Sequence, residues 1–174
     1  MSLTTLDIKE PGLTTLPPGV ERYVVEGGGL TGIQILPDDE IEIINNEGNQ
    51  ICEISVFNKD GKSELSILGL KEIKDNSEIK KILFKKDETS LQALLQLKKR
   101  NLNIEKSKSS LIFDKETKTG ESIKLKSKDK CYCIIAAPGN EMMVYEQNPS
   151  TELTIMVKRS IIKKDKEFSI IPDP

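Results

Sequence analysis

The 174-residue chain has no histidine and no tryptophan. Without histidine, no His-dependent triad and no His-containing metal site can be built within it. Aromatics make up 4% of the residues, so isoleucine, leucine and valine must form the core. Isoleucine and valine favour strands, because branching at Cβ restricts χ1 and suits a pleated surface. Three cysteines are an odd number without a disulfide framework, which points to reduced thiols and a cytoplasmic setting. No apolar run approaches the ~20 residues of a membrane span. The segment Met1–Asp7 lacks the basic and apolar regions of a signal peptide. Net charge is −2, so no global field selects nucleic acid or an acidic membrane. The distribution is uneven: residues 1–60 carry 11 acidic and 3 basic side chains, and the remainder 17 and 23. The basic part mixes both signs without interleaved aromatics and reads as a solvated, lysine-rich surface.

What is present is mostly strand patterning. Residues 1–19 read as an N-terminal arm punctuated by Pro11-Gly12 and Pro17-Pro18-Gly19. Arg22–Val25, Thr31–Leu36 and Glu40–Ile44 read as strands, and Gln50–Phe57 as the hairpin partner of the third. Asn46-Glu47-Gly48-Asn49 is the turn between those two, with residues that tolerate positive φ. The pattern then turns helical. Ser77 is placed to cap a helix through Phe84, and Asp87 a second through Arg100. Leu91, Leu94 and Leu95 share an apolar face that Leu97 and Leu102 extend, and Asn101 suits the position past the helix end. Strands return at Ser110–Phe113, Ser122–Lys126, Cys131–Ala136 and Leu153–Val157. The expected fold is mainly β, a sandwich or barrel of short antiparallel strands over 20–160. It carries a helical insertion at about 67–102, and 161–174 forms an edge strand or interdomain linker.

Few constellations carry chemistry. Cys131 and Cys133 face the same side of a strand, and Cys52 lies on another. Three thiolates suit a soft metal, but no fourth ligand accompanies them and redox motifs use C-x-x-C spacing. Burial as small apolar side chains is the stronger reading, and no metal is expected. Gly27-Gly28-Gly29 is followed by strand rather than helix, so it reads as a turn and not a phosphate cradle. Asp38, Asp39, Glu40 and Glu42 lack the spacing of a calcium loop. Ser55 has no recognisable base partner, so no serine nucleophile is supported and no catalytic residue is named. Gln50 and Glu53 point to opposite faces of a regular strand unless a bulge intervenes. The candidate pocket-lining residues are Gln50, Glu53, Cys131 and Cys133.

Several segments in order resemble a known family: Glu21–Gly29, Ile41–Gln50, Leu68-Gly69-Leu70-Lys71, Ile134–Gly139 and Gln147–Leu153. They are similar to the N-terminal segment of large bacterial aminomethyltransferase-like proteins, related to the glycine-cleavage T-protein. They also resemble the urea-carboxylase-associated family, whose signature turn Glu-Gly-x-Gln is matched by Glu47-Gly48-Asn49-Gln50. The family's Gly-Arg-His-Asp segment is missing, and Ala137 stands before Pro138 where better-preserved members carry cysteine. The resemblance implies a non-catalytic accessory domain that packs against or regulates catalytic modules. Its alternative is a free-standing small-molecule binding module whose metal site is lost. Tetrahydrofolate would belong to the parent protein only, with no cofactor in this chain. The partners implied are downstream domains of the same polypeptide, with a homo-oligomer left open and neither nucleic acid nor membrane.

Overall fold

A computed structural model describes residues 8–9, 19–71, 77–85, 88–114, 116–139 and 150–160. The Asp87 cap, most of the N-terminal arm and the segment 161–174 lie outside them. The strands are β1 (Val20–Val25), β2 (Leu30–Ile35), β3 (Glu40–Asn45), β4 (Cys52–Asn58), β5 (Ser110–Phe113), β6 (Ser122–Lys126), β7 (Cys131–Ala136) and β8 (Leu153–Lys158). Two helices, α1 (Ser77–Leu83) and α2 (Glu88–Lys99), lie between β4 and β5. No described helix is long and apolar enough to cross a membrane.

The strands form two four-stranded antiparallel sheets, ordered β1-β8-β3-β6 and β2-β7-β4-β5. This interleaved order is that of a jelly roll, a β-sandwich of eight strands. The helices form a small insertion, so the β-rich architecture read from the strand patterns holds.

The pairing of neighbours does not. Residues 46–51 join β3 to β4, and these strands belong to different sheets. The segment is therefore a crossover and not a hairpin. Alternation specifies which face of a strand is buried, but partner choice is set by long-range packing. The turn residues are nonetheless as expected, with Gly48 at φ 81° and Asn49 at φ 59°. Gly48 also sits against the backbone of 117–119, where an added Cβ would lie 2.7 Å from the Thr119 nitrogen. Only glycine fits there.

Two apolar layers follow. Between the sheets pack Ile33, Ile35, Ile41, Ile43, Ile54 and Ile155, among others. On the outer face of the second sheet, Phe57, Ile134 and Ala136 meet Ile79 and Leu83 of α1 and Ala93 and Leu97 of α2. Strands β4 and β7 are thus covered on both faces, which explains the nearly continuous apolar run Cys131–Ala136. Burial of one such side chain, Phe57 for example, contributes about 1.5–3 kcal/mol.

Helix α2 turns differently from its leucine pattern. Ser90, Ala93 and Leu97 are buried, with the Ser90 hydroxyl donating to the Ile82 carbonyl of α1, and Leu91 and Leu95 are exposed. The inward stripe at spacings of three and four is narrow, so the extra leucines fall outside it. Asn101 takes φ 57° beyond the helix, and the Leu102 N–H returns to the Leu97 carbonyl, as expected of a left-handed cap.

Candidate functional site

Period two places Glu21, Tyr23 and Val25 on the inward face of β1. The same rule carries Leu153, Ile155 and Val157 of β8 on to Arg159, and Ile43 and Ile41 of β3 back to Asp39. Three charged residues are therefore delivered into one end of the sandwich, all buried. The Arg159 guanidinium donates from Nε and Nη2 to the two Glu21 carboxylate oxygens at 2.9 and 2.8 Å. Its Nη1 donates to Asp39 Oδ2 at 2.9 Å and to the Gln34 carbonyl at 2.7 Å. Asp39 also accepts from the backbone N–H groups of Leu36 and Ser160. The Tyr23 hydroxyl donates to Glu21.

The pKa shifts follow from this closure. Burial raises the Tyr23 phenol to about 12, with the hydrogen bond and charge of Glu21 adding to it. For Arg159, burial opposes the cation, but Glu21 and Asp39 more than offset it, and its pKa rises.

The thiols adjoin this cluster. Cys131 and Cys133 lie with sulfurs 3.9 Å apart, and Ser127 Oγ is 3.7 Å from Cys131. The Cys133 thiol favours ionisation of Cys131, whose pKa falls despite burial. The same contact and burial push Cys133 well up. Cys52 is buried, and desolvation raises its pKa strongly. All three cysteines are free thiols, and among the described residues no group of three or more metal-ligating side chains converges.

Gln50 lies at the opposite end, just before β4. Its Nε2 donates to the Pro138 carbonyl at 2.9 Å, and its Oε1 accepts from the Thr151 N–H at 2.8 Å. Its own carbonyl accepts from Asn45 Nδ2. Gln50 thus ties together the ends of β3, β7 and β8. Beside it, Asn45 Oδ1 and Thr151 Oγ1 are buried without a partner among the described residues. Both can accept from a bound water.

Glu53 faces the helical layer. The register with β5 shifts here, Cys52 facing Phe113 and Glu53 facing Leu111, so the extra residue is Ile112 on β5 and β4 keeps its alternation. The Glu53 carboxylate accepts from Ser109 Oγ at 2.8 Å and from the Glu78 N–H at 3.2 Å, at the start of α1. Burial outweighs these donors and raises its pKa. The four sequence candidates are therefore dispersed. The two thiols share one end with Arg159, Gln50 holds the other, and Glu53 sits under α1.

No family model matches the chain. One curated relative does. The chain is 33% identical over 168 residues to a trimethylamine-oxide aldolase of Ruegeria pomeroyi. The match takes in 96% of this chain and 21% of the relative, so the chain spans about a fifth of that protein's length.

This finding corrects the expected identity. The relative is named as an aldolase, not as an aminomethyltransferase-like or urea-carboxylase-associated protein. Neither the non-catalytic accessory domain nor the free-standing binding module stands beside it. The misleading segments are turns and buried strands, such as Gly48-Asn49 and Ile134–Ala136, and such residues specify a fold and not a chemistry.

Glu21 and Arg159 are not among the sequence candidates, and Asp39 enters there only in a carboxylate run without calcium-loop spacing. Their signal was available, because each is a charge placed in the inward register of an otherwise apolar strand face.

Proposed function

We propose that this chain is a domain of an enzyme that acts as a trimethylamine-oxide aldolase. The observation that carries the reading is the 33% identity extending over 96% of the chain. A match of that extent runs through both sheets and the helical insertion. The Arg159 cluster supports a rigid role for the jelly roll, because its ionic groups are answered within the protein. The three unbridged thiols favour a cytoplasmic setting for that enzyme.

The test uses the polypeptide encoded by the complete reading frame. Incubated with trimethylamine oxide, it is expected to consume the substrate, read as loss of the methyl signal by proton NMR. Removal of residues 19–160 is expected to abolish consumption. No consumption by the complete polypeptide overturns the reading, as does full activity after the deletion.

A further inference from the structure

Helix α2 carries a second apolar face. Leu91 and Leu95, one helical turn apart, are 52% and 57% exposed, and Phe84 beyond α1 is 43% exposed. With Leu94, Leu102 and Ile104 they line a groove of about 770 Å³, which Lys98 and Glu105 also border. Leu91 and Leu95 lie outside the buried cluster that joins Ala93 and Leu97 to the sheet residues Phe57 and Ile134. An exposed apolar groove of this kind marks an interaction site.

The size of the groove discriminates between occupants. Two half-exposed leucines on a helix of twelve residues, with Phe84 beyond α1, fall well short of the ~800 Å² per partner that a standard stable interface buries. A second copy of the chain would have to bind through this small face at ordinary concentrations. A segment of the same polypeptide does not face that cost, because a tether holds it at an effective concentration of order mM. The relative supplies the length: this chain matches 21% of it, leaving about four-fifths of such a polypeptide outside the match.

We propose that the groove formed by Phe84, Leu91 and Leu95 seats an apolar helical segment of the same polypeptide, from outside these 174 residues. That segment inserts side chains at a helical spacing of three and four into the groove. The inference rests on the reading of the chain as one domain of a longer aldolase.

The experiment compares carbene footprinting of Leu91 and Leu95 in the 174-residue chain and in the complete polypeptide, at equal molar concentration and without trimethylamine oxide. Labelling is expected to be high in the chain and to fall several-fold in the complete polypeptide. Equal labelling overturns the proposal, as does a reading frame that encodes this chain alone. Protection in the isolated chain that grows with its concentration also overturns it, in favour of a second copy. The double variant Leu91→Lys/Leu95→Lys should leave the melting temperature of the chain unchanged, yet make the complete polypeptide more susceptible to proteolysis. Because no substrate is present, protection without trimethylamine oxide consumption would sink the functional reading and leave the groove assignment standing.

Discussion

Arg159 and Glu53 bring buried charge into the same fold by opposite means. At the end of the sandwich, two carboxylates surround one guanidinium, with a bidentate pair to Glu21 and a further bond to Asp39. Under α1, the described groups that answer Glu53 are a hydroxyl and backbone N–H groups. In the first case partner charges outweigh desolvation and the charged form is favoured. In the second desolvation outweighs the hydrogen bonds and the carboxyl pKa rises. Hydrogen bonds can satisfy a buried carboxylate without fully offsetting the desolvation of its charge.

Breaking the cluster is expected to have the largest effect. Arg159→Met leaves two carboxylates buried with no cation and should cost about 3–5 kcal/mol in urea unfolding. Arg159→Lys keeps the charge but loses the planar fork, and a cost of about 1–3 kcal/mol is expected. Ser109→Ala removes one donor from Glu53 and should cost about 1 kcal/mol. It should also raise the Glu53 pKa further, as read by carboxyl-resolved NMR titration. If Arg159→Met cost no more than Ser109→Ala, the contrast between the two sites would collapse.

The smallest effect is a slope. Because its pKa is raised, folded Glu53 holds its proton over a range where the unfolded chain has lost it. Stability from this group is complete below the ordinary glutamate pKa and is lost as pH rises through the higher folded value. In Glu53→Gln that slope should be absent, so unfolding free energies of the two proteins should diverge only across this window. An identical slope in both would assign the effect to another group.

Much of the fold was legible in the residues. Ile123 and Leu125 alternate with lysines on β6, and the cap at Asn101 follows from a side chain that tolerates positive φ. What resisted reading was everything decided by distant partners. Alternation in β3 and β4 carried no information that they join different sheets. The leucines of α2 outnumber the positions its inner face can hold, so counting them misplaced Leu91 and Leu95. Arg159 was within reach, two residues past Val157 in the same register, but an isolated arginine near a strand end reads first as solvated. Gln50 stood out in the sequence for a turn motif, and its bonds to Pro138 and Thr151 depend on segments 88 and 101 residues away.

The position of β8 bears on how the chain folds. Strand β8 is not an edge: it lies between β1 and β3 and pairs with both. Among the described strands, β1 therefore has no partner until residues 153–158 have been made, and β3 has only β6. Pairing over such separations makes folding slow, since loop closure must precede the reward. During synthesis β1 emerges well before β8, its described partner, and an unpaired strand edge is the condition in which strands associate wrongly. Loss of the segment after Ser150 would split the first sheet into two pieces, not merely trim it.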